Sequence, residues 1–179
     1  MSYRQTLREL AFDSHGVVTV ADAAALGVPA VELRKLASRG ALERISQGVY
    51  RMLEAPTSEL SEFAEAVAAT GRADALLADE AVLAAHGLAQ VNLRTIKVAV
   101  PRRTRTQVPA TVEVIQRVVP DEERDFIDGI PAMTIAAAIR ATKGRILRER
   151  LIDAARQAEA RGLISEADRD ELIKEMDDE

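Results

Sequence analysis

Apolar residues recur at helical spacing through the first forty positions and then give way to alternation. Residues 3–12 form an expected helix with Leu7, Leu10 and Ala11 on one face, stopped by His15-Gly16. Val17 and Val18 are a short extended piece, Thr19 suits an N-cap, and alanine-rich residues 21–26 make a second helix ended by Gly27. Pro29 fits the first turn of a third helix running to Arg39 before Gly40. LERIS and VYRM then alternate around Gln47-Gly48, a tight turn of a small hairpin. Helix, short strand, helix, helix, hairpin is the order of a winged helix-turn-helix.

Glu54-Ala55-Pro56 reads as a linker, dividing the chain into residues 1–53 and residues 57–179. Thr57 or Ser58 is expected to cap a helix through Thr70, with Leu60, Phe63, Ala64 and Val67 inward and Gly71 as its stop. Asp79 is expected to cap a further helix, EAVLAAHG. Strands follow over 96–100 and 111–119, joined by the arginine-rich loop PRRTRTQVP. Residues 126–133 contain the turn Asp128-Gly129, and Thr134 caps a helix through Ala141. Leu147, Leu151, Ala154, Ala155 and Ala158 stripe one helix up to Gly162, and Ser165 caps a last one carrying Leu172, Ile173 and Met176. The expected class is α+β: an N-terminal winged helix followed by a small mixed α/β domain that ends in a helical pair.

At 179 residues and 47% hydrophobic, the chain can bury a core unaided, and the lack of cysteine removes disulfides and thiolate chemistry. The charged, amphipathic start MSYRQTLREL and the lack of a long apolar run predict an unexported, cytoplasmic protein with no membrane partner. Net charge is −5, but residues 1–55 carry seven basic and six acidic side chains, whereas residues 145–179 carry seven and eleven. Phosphate contacts are local, so this distribution leaves room for a small basic patch in the first block. Aromatic residues are 3% with no Trp, so a bound nucleic acid is expected to be duplex rather than stacked single strand.

On the third helix, 100° per residue sets Ala30, Leu33, Leu36 and Ala37 against Val31, Arg34, Lys35 and Ser38. The second face is the expected reading face: Arg34, Lys35 and Ser38 for base edges and phosphates, Val31 for a thymine methyl. Arg39, Arg44, Ser46, Gln47 and Arg51 are candidates for backbone contacts. With a two-residue loop, Arg44 and Arg51 stand opposite each other, a repulsion that a phosphate would relieve. Arg102, Arg103 and Arg105 form the densest basic cluster, read either as a contact to DNA or an acidic protein or as a charge-rich connecting loop. His86, beside Gly87, and His15 read as structural residues at helix ends, where a cation suits the dipole. Two distant histidines make no metal site, Ser14-His15 makes no triad, and neither a Gly-x-Ser-x-Gly elbow nor a phosphate-cradling glycine loop occurs. No enzyme activity, metal or cofactor is therefore expected.

The stretch GVVTVADAAALGVPAVELRKLASRGALERISQGVYRM resembles the winged helix of the AbiEi family, antitoxins of type IV toxin-antitoxin systems, down to the closing string Gly48 to Arg51. ADEAVLAAHGL with His86 to Leu88, IKVAVPRRTR and DGIPAMTIAAAI resemble parts of that family's second domain. The resemblance implies a nucleotidyltransferase-like toxin as partner, neutralised by the second domain, and repression of a shared promoter by the winged helix. A stand-alone winged-helix regulator with a ligand-sensing or dimerising second half, and a winged helix that binds protein, are the alternatives. A possible homodimer is left open by either reading.

Overall fold

The computed structural model describes residues 1–178. Ser2 accepts the Gln5 amide and opens α1 (Tyr3–Asp13), which buries Leu7 and Ala11. His15 and Gly16 both adopt positive φ, reversing the chain into β1 (Val17–Thr19). Thr19 accepts the Asp22 amide to start α2 (Val20–Ala25). Gly27 at φ +77° then turns the chain, Val28 is buried, and Pro29 precedes α3 (Ala30–Ser38). β2 (Leu42–Ser46) and β3 (Val49–Met52) complete an antiparallel sheet of order β1-β3-β2. This is the winged helix expected from the pattern.

The hairpin register differs from the expected one. Glu43 pairs with Arg51 and Arg44 with Tyr50, because the register shifts by one residue between Arg44 and Ser46. That extra residue, a β-bulge at Ile45, replaces the repulsive Arg44–Arg51 pairing with an attractive one.

The second half is built on a five-stranded mixed sheet of order β6-β5-β4-β8-β7. Its strands are β4 (Leu76–Leu77), β5 (Ile96–Val100), β6 (Val112–Gln116), β7 (Arg124–Ile127) and β8 (Ile130–Met133). Around it lie α4 (Ser61–Ala69), α5 (Glu80–Ala85), α6 (Ile135–Thr142), α7 (Arg148–Ala160) and α8 (Glu166–Asp177). Asp128-Gly129 makes the β7–β8 turn, Thr134 caps α6, and Ser165 with Asp168 forms a capping box on α8.

Three expectations are corrected. α4 starts at Ser61 rather than at 57 or 58, because Ser58 is spent on a turn in which Ser61 Oγ accepts the Ser58 amide at 2.9 Å. Asp79 does not cap α5: its backbone sits at φ +54°, ψ −125°, and its carboxylate turns into the protein instead. Leu147, placed on the α7 stripe, is 65% exposed, since it precedes the helix, whereas Leu151, Ala154, Ala155 and Ala158 are buried as expected.

The buried apolar side chains fall into two clusters. One contains Leu7, Val18, Leu33, Leu42 and Met52 inside the winged helix, and Ala55, from the stretch expected to be a linker, joins it. The larger fills the second half but also takes in Val17 and Val49 from the winged-helix sheet. α4 therefore packs between the back of that sheet and the five-stranded sheet.

Candidate nucleic-acid interface

α3 owes its exposure to the turn before it: Val28 N–H donates to Ala23 O at 2.8 Å, which locks α2 against the start of α3. Leu33 and Leu36 point into the core, and Val31, Arg34, Lys35, Ser38 and Arg39 are exposed, as the helical period predicts. Lys35 pairs with Glu32 at 3.0 Å one turn back, a weak surface pair, while Arg34 and Arg39 are unpaired among the described residues. Ser38 Oγ donates to Lys35 O at 2.7 Å and can exchange that bond for an outside acceptor.

The wing stands beside this helix. Val20 N–H, at the start of α2, donates to Gly48 O at 2.8 Å, tying the wing tip to the helix-turn-helix. Gly48 has φ +72°, which the tight turn requires. Arg44 and Gln47 are exposed there, with Arg44 Nε donating to Ser46 O at 3.3 Å.

Two candidates for backbone contact face the other way. Ser46 is buried and its hydroxyl donates to Ala69 O, at the end of α4, at 3.0 Å. Arg51 is gripped by Glu65 of α4 and by Glu43 at 3.1 Å, and hydrogen bonding to Glu65 raises its guanidinium well above the usual range. Because strand side chains alternate, residues on the back of the hairpin bind α4 rather than an external phosphate. Sequence reading missed this because Glu65 lies on a helix beyond the linker.

His15 is likewise an inter-element contact. Its Nε2 donates to Asp128 O at 2.8 Å and its Nδ1 lies 3.3 Å from Ser58 Oγ, so the imidazole joins the end of α1 to the β7–β8 turn. His86 stands at the C-terminal end of α5, the helix end expected for it, and burial first and Arg161 second lower its pKa. Arg161 places a cation at that end, donating to His86 O at 2.6 Å.

Residues 5–52 match the family model described as transcriptional regulator, AbiEi antitoxin. The match covers the winged helix and not the second half. The matched stretch runs from within α1 through β3 and so contains both α3 and the wing. No curated protein matches the chain. Among solved structures, the RV2827C protein from Mycobacterium tuberculosis is similar in fold, with a TM-score of 0.51 at 16% identity over 96% of this chain and 71% of that one. This likeness bears on architecture alone. It extends beyond the AbiEi stretch and takes in the second half.

Outside the matched stretch, Arg102, Arg103 and Arg105 lie exposed on the loop between β5 and β6, unpaired among the described residues. A second constellation has no counterpart in the sequence-derived candidates. Asp79, 1% exposed, accepts from both terminal nitrogens of Arg117 at 2.5 and 3.2 Å and from Arg145 Nη2 at 3.1 Å. Glu80 accepts from Arg145 Nε at 2.7 Å and from Lys97 Nζ at 3.1 Å. Burial works against the Glu80 charge, but the bonds from Arg145 and Lys97 prevail and hold its carboxyl at about 2. Among the described residues no group of three or more His, Cys, Asp or Glu could hold a metal ion, and no helix is long and apolar enough to cross a membrane.

Proposed function

We propose that this chain binds duplex promoter DNA as an autorepressor and is the antitoxin of a nucleotidyltransferase-like toxin. The observation that carries the DNA half is the exposed face of α3 beside a free wing tip, within the stretch that matches an AbiEi transcriptional regulator. α3 enters the major groove, where Arg34 and Lys35 meet guanine edges or phosphates, Ser38 and Arg39 follow the groove wall, and Val31 packs on a thymine methyl. Arg44 and Gln47 at the wing hold the neighbouring backbone. With one basic charge in excess over residues 1–55, a single copy has a modest electrostatic grip, so two copies on a palindromic site form the repressing unit. Arg102, Arg103 and Arg105 are left to extend the DNA contact or to meet the toxin.

Titrating the upstream operator with wild type and with Arg34→Ala/Lys35→Ala at several salt concentrations tests the surface. The variant is expected to bind at least about tenfold more weakly, with a salt slope reduced by about two. Equal affinity and slope would rule the surface out. For the antitoxin half, co-expression of the adjacent gene product is expected to arrest growth and this chain to restore it.

One observation favours a second reading, a stand-alone regulator with a ligand-sensing half. A cleft of about 350 Å³ lies between the wing and the second half, lined by Ile45 and Arg51 on one side and Phe63, Leu93, Arg94 and Val112 on the other. A small molecule that altered operator affinity in a chain with no toxic neighbour would favour this reading over the first.

A further inference from the structure

We infer that β6 is a pairing edge at which two copies of this chain join, strand against antiparallel strand, about a two-fold axis at Ile115. The pairing follows from the strand itself, whereas its consequence for an operator rests on the DNA-binding reading.

β6 is the outer strand of the second sheet, hydrogen-bonded to β5 in an unbroken parallel ladder from Val112 to Gln116. Ile96 N–H donates to Thr111 O at 2.8 Å and Arg117 N–H to Val100 O at 2.9 Å, so odd-numbered residues turn their backbone groups to β5 and even-numbered ones turn theirs outward. Val112 spends its outward N–H on Pro109 O at 3.0 Å, but the N–H and C=O of Val114 and Gln116 have no partner among the described residues. No proline, lysine or bulge guards this edge. The opposite edge is guarded. There Thr134 N–H donates to Glu123 O, which turns Phe126 outward on β7, and the Phe126 amide is taken by Asp125 Oδ1 at 2.8 Å.

The strand is complementary to itself in one register. With Val114 opposite Gln116 of the second copy, the two residues exchange both backbone bonds on each side of the axis, and every free group at these positions is satisfied. The same register sets Ile115 against Ile115 at the axis and Glu113 against Arg117, whose Nε has no acceptor among the described residues while its terminal nitrogens bind Asp79. An axis at Val114 would instead place Gln116 opposite Val112, which has no N–H left to give, and Glu113 opposite Ile115. A second copy of this chain is therefore the occupant that fits both the backbone and the charges of the edge. Such an axis stands perpendicular to the sheet, so both copies keep their even-numbered side chains on the same face. On that face Val112 lines a cleft with Phe63 of α4 and Ile45 of the wing. Both winged helices consequently stand on one side of the joined sheet, where a single duplex can meet them.

The chain has no cysteine, so a single introduced one reports the register. Across a non-hydrogen-bonded antiparallel pair the Cα atoms lie about 4.5 Å apart, within disulfide reach. Ile115→Cys is expected to cross-link to itself under mild oxidation, and Glu113→Cys, which faces Arg117 rather than itself, is not. Analytical ultracentrifugation of the full chain over a concentration series is expected to show a monomer–dimer equilibrium. Gln116→Pro removes an outward N–H without touching the β5 ladder, and Glu113→Arg sets like charges opposite each other. Each is expected to raise the dimer dissociation constant at least about tenfold, with circular dichroism unchanged. A wild-type chain that stays monomeric, a dimer that Glu113→Arg leaves intact, or equal cross-linking at both cysteines overturns the pairing and leaves the edge to a strand of another protein. Operator titrations separate this from the DNA-binding reading. A monomer that binds the operator overturns the pairing alone, whereas a β6-linked dimer that ignores the operator overturns the DNA-binding reading and upholds the pairing.

Discussion

At the scale of single residues, Asp79 and Glu80 show how one pair of neighbours can do work that its local sequence conceals. An acidic pair before an alanine-rich run reads as a helix start, and Glu80 does open α5. The partners that redefine the pair stand far along the chain, with Arg117 38 and Arg145 66 positions from Asp79. No spacing rule reaches that far. Because the Glu80 carboxyl is held at about 2 in the fold against 4.5 in its absence, its ion pairs stabilise the protein above pH 4.5 and are lost as pH falls toward 2. Wild type should therefore have a higher urea midpoint than Glu80→Gln at neutral pH, and the gap should close progressively between pH 4.5 and 2. Gly27 gives a simpler case. A Cβ there would meet nothing within 4 Å, so Gly27→Ala pays only for φ +77° and should lower stability by about 1 kcal/mol in denaturant titration.

At the scale of elements, the helices of the winged unit and the caps of α6 and α8 were legible because their signals are local: apolar period, Thr134, Ser165 and the stopping glycines. The β2–β3 hairpin was legible as an element but not in register, because nothing in LERIS marks Ile45 as a bulge. β4 was invisible, being two residues long within a short apolar stretch that no period resolves. The register decides the roles of Arg51 and Ser46. Replacing Arg51 with Ala leaves Glu65, 12% exposed at its side chain, without its cation and should cost about 1–3 kcal/mol of stability. It should leave the salt slope of operator binding unchanged, whereas a phosphate contact at Arg51 would lower the slope by about one. Gel-shift titrations over a salt series separate the two outcomes.

At the scale of the whole molecule, the exposed face of α3 was accessible to sequence analysis and the mutual docking of the two halves was not. Helix faces follow from a period of 3.6, but Ser46 meeting Ala69, Arg51 meeting Glu65 and His15 meeting Asp128 each join segments through tertiary packing. With Val17 and Val49 of the winged-helix sheet inside the larger cluster, the halves are expected to unfold together. Tyrosine fluorescence, from Tyr3 and Tyr50 and so reporting on the winged helix, and far-ultraviolet circular dichroism should give coincident urea transitions. Val49→Ala, which leaves a cavity at the shared boundary, should shift both by the same amount, about 2 kcal/mol.

The two-sided hairpin also sets the unit that evolution or an engineer could exchange. A recombination joint at Pro56 would hand a recipient protein a wing stripped of its backing, with Val49 bared to water and Glu65 left behind in the donor. A joint at Gly71, after α4, would carry α3, the wing and the helix that braces it as one cassette. Exchange of winged helices among relatives of this architecture should therefore leave its seams after α4.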